Sequence, residues 1–184
     1  MTERATELRK KYLEVLKQQG LIKDFPVLTN EEGRIILLGG RWILMNVEAF
    51  PEHVIQTVSR FVGEKLAQEF IYWFGVSYGE HLVEKYRKMV MTEEQILNLL
   101  LMISAVITGF GIGEIVEYSP AAGKAVVRFY NDFEVESARL NGRKPTNNFL
   151  RGIAAGVASK LWNAKVYATA EYKDGYTLIT VQKK

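Results

Sequence analysis

The sequence predicts an α+β domain in which an antiparallel sheet is backed by helices. Apolar residues recur at the 3.6-residue spacing of helices through much of the first half, whereas several short runs after residue 113 alternate with period 2. These runs come in pairs joined by glycine-containing turns, so each strand is expected to pair with its neighbour in sequence. Such pairing gives an antiparallel sheet and not a βαβ fold.

The composition is that of one globular domain. Of the 184 residues, 48% are hydrophobic and 24% are charged, and the net charge of +3 gives only weak support to a nucleic-acid partner. The chain contains no cysteine, which excludes disulfides, thiolate metal sites and cysteine nucleophiles. Residues 1–11 alternate in charge and lack the apolar run typical of a secretory signal. We therefore expect a cytoplasmic protein.

The N-terminal part is predicted to be a charged helix, residues 2–20, with a narrow apolar stripe and an end at Gly20. The stripe packs on the domain or, alternatively, makes a dimer contact or forms an arm. A turn-rich linker at 24–33 follows. The sequence thus divides into the helix with its linker, residues 1–33, and a ligand-binding domain, residues 34–184.

The domain is predicted to open with a hairpin and a long helical region. Strands at 34–38 and 41–45 flank Gly39-Gly40, a pair that tolerates positive φ in a two-residue turn. The helical region begins near Asn46, with Pro51 in its first turn. Its apolar rhythm continues to residue 75, and it contains three glycines that are candidate breaks: Gly63, Gly75 and Gly79.

A second helix is predicted at residues 92–108, with a cap at Thr92. Its stretch at 96–107 is nearly free of charge and close to the minimum length of a membrane span. Polar residues interrupt this stretch, glycines crowd its end, and no positive anchor precedes it. These features favour a buried core helix, and no membrane span is expected.

The second half is predicted to contain two hairpins separated by a loop and a helix. The first hairpin has strands at 114–118 and 124–130, and residues 133–145 form a polar loop. A helix capped by Asn147 or Asn148 runs to Trp162. Strands at 165–171 and 176–181 close the chain around an Asp-Gly turn at 174–175.

No pattern in the sequence predicts a catalytic or metal site. The glycines at 109–113 (GFGIG) follow a helix and precede a strand, the reverse of the order in a dinucleotide-binding loop. His53 and His81 have no second ligand at metal spacing, so exposed helical histidines are favoured over haem ligands. The serines lack a nucleophile-elbow context. The sequence therefore favours a binding protein over an enzyme, with no cofactor and no metal.

The aromatic residues between 61 and 78 cover more of a helix circumference than one core face needs. They form a filled core or an oligomer interface or, alternatively, they line a cavity, since ligand sites are mostly apolar with few polar groups. The candidate pocket residues are Phe61, Phe70, Trp73, Phe74, Tyr78, Leu101, Ile107, Phe110, Phe149 and Trp162.

Several short motifs resemble the 4-vinyl reductase domain, a family described as hydrocarbon-binding. They are the turn at 109–114 (GFGIGE), the start of the last helix at 148–152 (NFLRG) with Gly156, and the strand at 166–171 (VYATAE) followed by a turn at Gly175. Upstream, Gly63 and residues 75–79 (GVSYG) match the glycine-marked helices of the family. The resemblance covers roughly residues 34–181.

The resemblance implies the ligand-binding fold of nitric-oxide-signalling and Golgi-transport proteins, which TRAPP vesicle-transport subunits and aromatic-responsive sensor domains share. In this fold, helices and an antiparallel sheet can enclose a hydrophobic channel, and members are commonly homodimers. Many members place two cysteines around the final turn and a cysteine or histidine ahead of the last helix. Here those positions read YKDGY (172–176) and TNN (146–148), which excludes the metal or thiol chemistry of the family.

The sequence thus predicts a homodimeric module that binds or senses a hydrophobic small molecule in an apolar pocket, without catalysis of its own. A lipid, an isoprenoid or an aromatic hydrocarbon would fit this description. Two alternatives stay open: a protein-assembly module like the TRAPP subunits, and an accessory subunit in tetrapyrrole metabolism. A nucleic-acid partner is not expected.

Overall fold

The computed structural model describes residues 29–30, 34–37, 40–89, 91–173 and 175–184. The chain divides into two compact units, Met1–Leu44 and Met45–Lys184. The helix predicted at residues 2–20 lies outside the described residues, and so does most of the linker predicted at 24–33.

The described part of the first unit contains an antiparallel hairpin of β1 (Ile35–Leu37) and β2 (Gly40–Trp42). Leu37 pairs with Gly40, so Gly40 belongs to β2 and its predicted place in the turn was wrong. Both strands are shorter than predicted. The ladder ends at Ile35 and Trp42 because both backbone groups of Arg34 bond to Asn30 instead, at 2.9 and 3.0 Å.

The second unit begins with an irregular π-type turn, Ala49–His53, followed by α1 (Val54–Val62) and α2 (Glu64–Arg87). Regular helix starts later than predicted, because Phe50 precedes a proline and has an extended backbone with φ −126° and ψ 132°. Of the three candidate breaks, only Gly63 interrupts the helix, with φ 83°. Gly75 and Gly79 lie inside an unbroken α2.

The predicted cap at Thr92 is confirmed, and it starts α3 (Glu93–Met102). The amide of Gln95 donates to Thr92 Oγ1 at 3.3 Å, and the amide of Thr92 donates to Gln95 Oε1 at 2.8 Å. After Met102 the α-helix gives way to a π-helical segment, Ile103–Thr108, which ends at Gly109 with φ 69°. None of the helices in the described ranges is long and apolar enough to cross a membrane.

Four strands form the sheet of the second unit: β3 (Ile112–Ser119), β4 (Lys124–Tyr130), β5 (Val166–Lys173) and β6 (Tyr176–Lys183). Their order is β3-β4-β6-β5, and every neighbouring pair is antiparallel. The register of β3 shifts between Ile115 and Glu117, which re-aims the side chains in the second half of this edge strand. The predicted α+β class with an antiparallel sheet is confirmed.

The polar stretch at 133–145 contains a helix, α4 (Phe133–Leu140), so the prediction of a loop there was wrong. Asp132 caps this helix, since its carboxylate accepts a hydrogen bond from the Glu134 amide at 2.8 Å. The face of α4 that packs inward carries Phe133 and Ala138, together with Glu134 and Ser137. With two of four buried side chains polar, the hydrophobic period was too weak to mark a helix.

The last helix, α5 (Asn148–Trp162), has the predicted bounds and packs tightly on α2. A Cβ atom at Gly152 would lie 2.2 Å from the carbonyl oxygen of Tyr72, and one at Gly156 would lie 2.1 Å from that of Val76. The two backbones therefore touch, which only glycine permits. This contact fixes one face of α5 against α2 and turns its opposite face towards the sheet.

Candidate functional site

An apolar cavity of about 110 Å³ lies between the inner face of the sheet and the helices of the second unit. Its walls come from α2, α3, the π-helical segment, α5 and strands β3, β4 and β6. The lining residues are Tyr78, Leu82, Leu97, Leu100, Leu101, Ile103, Ser104, Thr108, Phe110, Ile115, Tyr118, Ala125, Val127, Phe129, Leu150, Ile153, Ala154, Val157, Ala158, Leu161, Trp162 and Val181.

One stripe of α5 forms the longest wall of the cavity. Its members follow one another at intervals of one and three residues, so they share a single helix face: Leu150, Ile153, Ala154, Val157, Ala158 and Leu161. The alanines leave room for the cavity, while Gly152 and Gly156 hold the other side of the helix against α2. The same helix therefore needs glycine on one side and small or apolar residues on the other.

The two hydroxyl-bearing side chains of Ser104 and Thr108 in the cavity wall form hydrogen bonds with backbone carbonyl oxygens. The Ser104 hydroxyl donates to the carbonyl oxygen of Gly111 at 2.9 Å. The Thr108 hydroxyl lies 3.4 Å from the carbonyl oxygens of Ile103 and Ser104. Because these hydroxyls bond to the backbone, the interior that a ligand would meet is almost entirely apolar.

Tyrosine and tryptophan side chains supply the remaining polar atoms. Trp162 Nε1 donates a hydrogen bond to the Tyr118 hydroxyl at 3.3 Å, and the two rings lie 6.2 Å apart. Burial raises the pKa of the Tyr118 hydroxyl and of the Tyr78 hydroxyl, and the neighbouring Tyr86 raises the latter further. Both phenols are therefore neutral at physiological pH, and each can donate or accept a hydrogen bond.

The π-helical segment places Ser104 at the edge of the cavity. Gly111, which follows this segment, packs closely against β4. A Cβ atom at Gly111, where φ is 129°, would lie 2.8 Å from the Tyr130 carbonyl oxygen. The Ser104–Gly111 hydrogen bond thus ties this wall to the start of β3. Single π-turns inside α-helices are frequent at functional sites.

The structure brings together some of the ten predicted pocket residues and separates others. Tyr78, Leu101, Phe110 and Trp162 line the cavity. Phe149 is buried behind the wall, with its ring 5.6 Å from that of Phe110. The side chain of Ile107 lies outside the described residues.

The other four predicted pocket residues, Phe61, Phe70, Trp73 and Phe74, lie away from the cavity and are exposed on α1 and α2. On α2, Phe70 and Trp73 lie on the side away from α5, because the glycine contact fixes the opposite face. Phe74 lies at the border of this side, since its side chain is 46% exposed but its ring stacks on that of Phe149 in α5 at 5.4 Å. Sequence reasoning counted these aromatic residues but had no means to orient the helix.

Most of the other residues that line the cavity were not among the predicted pocket residues. The α5 stripe carried a signal, since apolar residues at 150, 153, 154, 157, 158 and 161 alternate around the helix with glycines at 152 and 156. Ala125, Val127 and Phe129 alternate along β4, which is the pattern of a strand with one buried face. No local pattern, however, shows that these two faces enclose a space.

A group of buried carboxylates lies outside the cavity wall. Burial raises the pKa of Glu52, Asp132 and Glu134, and no cation among the described residues neutralises Glu134. Within the described part of the chain, no three acidic or histidine side chains are placed to hold a metal ion. Both histidines, His53 and His81, are exposed.

Comparison with known proteins gives a fold but no family. No family model matches the chain, and neither does any curated protein. The phenol-responsive sensory domain of the transcription activator PoxR, solved with phenol, is similar to this chain with a TM-score of 0.69 and 18% identity; the match covers 91% of this chain and 90% of that one. This likeness shows that the two chains share a fold.

A second solved structure is similar to a lower degree. It is subunit 3 of a trafficking protein particle complex from Naegleria fowleri, covalently bound to palmitic acid, with a TM-score of 0.49 and 11% identity over 75% of this chain and 92% of that chain. A likeness of this strength carries no argument about the present chain.

Proposed function

We propose that the chain binds a small hydrophobic molecule of about one aromatic ring in the cavity between α5, α3 and the sheet, without catalysis of its own. The observation that carries this proposal is the cavity itself, with a volume of about 110 Å³ and almost purely apolar walls. An engineered apolar cavity of about 150 Å³ in another protein binds benzene. Of the ligand classes predicted from the sequence, the aromatic one therefore fits best.

The likeness to the PoxR sensory domain supports this choice, since that domain shares the fold and was solved with phenol. The neutral hydroxyls of Tyr78 and Tyr118 give an aromatic ligand with one polar group a partner at the cavity wall. Four further parts of the sequence prediction belong to this proposal: the role as a sensor, the homodimer, the cytoplasmic location and the relation to the 4-vinyl reductase domain.

Calorimetric titration of the full chain, purified without detergent, tests the proposal. The probes are phenol and toluene as single rings, with farnesol and palmitate as an isoprenoid and a lipid. We expect the single rings to bind and the long chains to bind at least tenfold more weakly. Absence of heat with both rings at millimolar concentration, together with no small molecule released on denaturation, would overturn the proposal.

A variant that fills the cavity makes the test specific. Ala154 lines the cavity, so Ala154→Leu is expected to weaken binding of the ring ligands at least tenfold. Ala105 lies in the π-helical segment with its side chain exposed, so Ala105→Leu adds the same atoms outside the cavity and serves as the matched control. Equal affinities of the two variants would place the ligand elsewhere.

A further inference from the structure

An exposed apolar face runs along the end of α1 and the first half of α2. It is formed by Phe61, Val62, Leu66, Phe70, Trp73 and Phe74, and we refer to it as the α1–α2 face. Phe61 is 83% exposed, Trp73 62% and Phe70 55%. Towards the C-terminal end of α2 the same side of the helix becomes polar, with Ser77, His81 and Glu84. The apolar surface is therefore a confined patch.

The area of this patch lies in the upper part of the range for the largest apolar patch of a monomer, and such patches are often functional. An aromatic side chain has about 150–250 Å² of surface, so the exposed parts of the four rings amount to about 500 Å². The largest apolar patch of a typical monomer is about 300–600 Å², and a stable interface buries about 800 Å² on each partner. With Val62 and Leu66 added, two such patches in contact approach the size of a stable dimer interface.

We propose that the α1–α2 face pairs with the same face of a second copy of this chain. Leu66, Phe70 and Trp73 follow one another at intervals of four and three residues, which is the apolar spacing of a seam that one helix presents to another. The second copy offers the identical seam. A two-fold axis beside Phe70 brings Leu66 of each copy onto Phe74 of the other, since each lies four residues from Phe70.

The charges around the patch are compatible with self-association. Arg60, Lys65 and Glu69 are exposed beside it and carry both signs, so two copies do not present like-charged surfaces to each other. Apolar residues thus occupy the centre of the proposed interface and charged residues its rim, as in most protein interfaces.

The proposed interface leaves the cavity free. The side of α2 that bears Tyr78 and Leu82 lines the cavity, whereas Phe70 and Trp73 lie on the exposed side. This inference rests on the homodimer part of the proposed function and is independent of the ligand. Ligand binding and self-association can therefore be lost separately.

Sedimentation equilibrium of the full chain and of Phe70→Asp tests the interface. We expect the mass of two chains for the wild type and at least a tenfold rise in the dimer dissociation constant for Phe70→Asp. Tyr172→Asp is the matched control, because Tyr172 is an aromatic residue with 51% exposure on β5. Calorimetry with phenol is expected to give the same affinity for both variants, and circular dichroism checks that both are folded.

The absence of cysteine from the sequence allows a second test. In Phe70→Cys, two copies meeting beside residue 70 are expected to form a disulfide-linked dimer under mild oxidation, and Tyr172→Cys is not. A wild-type dimer that Phe70→Asp leaves intact overturns the proposed surface but not the homodimer. A wild type that is monomeric at about 100 µM overturns both the proposed surface and the homodimer but leaves the ligand proposal standing. If that monomer also floats with phosphatidylcholine vesicles, the α1–α2 face binds lipid instead of a second copy.

Discussion

The carboxylate of Glu134 accepts a hydrogen bond from the backbone amide of Leu150 at 2.7 Å and thereby caps the first turn of the helix that forms the longest cavity wall. Its other oxygen accepts from the amide of Phe149 at 3.1 Å. Asn147, which precedes the helix in sequence, makes no side-chain cap, and its side-chain amide donates a hydrogen bond to the Asp132 carboxylate instead. The N-terminal amides of a helix are usually capped by the residue that precedes it, whereas those of α5 are capped by a side chain of α4.

The burial of Glu134 predicts an unusual dependence of stability on pH. Burial and the neighbouring Asp132 raise the pKa of Glu134 from 4.5 to about 8. The folded chain then holds a proton that the unfolded chain releases, so the stabilisation is complete below about pH 4.5 and is lost as the pH rises through about 8. The raised pKa values of Asp132 and Glu52 act in the same direction.

We therefore expect the free energy of unfolding in urea to fall by about 2–4 kcal/mol between pH 5 and pH 9. Glu134→Gln cannot titrate and should remove most of this fall, at the cost of one hydrogen bond to α5. Glu136→Gln changes an exposed carboxylate of the same helix and should leave the dependence as in the wild type. The same pH slope in wild type and Glu134→Gln would contradict this account.

The contact between α2 and α5 predicts that Gly156→Ala is strongly destabilising. Alanine favours a helix over glycine by about 1 kcal/mol, but the new Cβ atom would lie 2.1 Å from the Val76 carbonyl oxygen. The helices must then separate, and we expect a loss of about 3 kcal/mol or more in thermal or urea unfolding. Ser159→Ala, at a half-buried position of the same helix, should change stability by less than about 0.5 kcal/mol.

Arg143 is predicted to stabilise the fold because it neutralises the buried carboxylate of Glu52. Its Nε atom lies 2.9 Å from Glu52 Oε2, and its Nη2 atom pairs with Glu64. Oε2 has no well-aligned hydrogen-bond donor among the described residues, so the contact is mainly one of charge. Arg143→Ala leaves the Glu52 carboxylate buried without its cation, and we expect a loss of about 3 kcal/mol at pH 7.

The double variant Arg143→Ala with Glu52→Gln separates this effect from lost packing. Because the buried charge is gone, the double variant should be more stable than Arg143→Ala alone by at least about 1 kcal/mol. Arg139→Ala, at an exposed position of α4, serves as the control. A double variant that is less stable than either single variant would mean that the ion pair is not the cause.

The size of the cavity predicts how ligand preference changes in Leu101→Ala. Leu101 lines the cavity, and its Cδ2 atom lies 2.6 Å from where a Cβ of Gly113 would be. Removing its side chain should cost about 2–3 kcal/mol of stability and add room for a second ring. Calorimetry should then show naphthalene gaining affinity relative to toluene. Met102→Ala, at an exposed neighbouring position, should change neither quantity, and an unchanged preference in Leu101→Ala would argue against this cavity as the ligand site.

Local features were predictable from the sequence by itself. The cap at Thr92, the start and end of α5 and the pairing of each strand with its neighbour depend on residues a few positions apart. Such short-range patterns determine the secondary-structure elements, and the order of these elements along the chain indicates the α+β class. They failed at α4, where buried Glu134 and Ser137 hide the helix among polar residues.

Only the tertiary structure decided which apolar residues surround a cavity. The sequence showed that the helix around Phe70 and Trp73 is rich in aromatic residues, but its orientation depends on glycines at 152 and 156, far along the chain. That contact turns Phe70 and Trp73 to the surface and leaves Tyr78 in the cavity wall. The cavity walls join residues from 78 to 181, and a space between elements has no signature within any one of them.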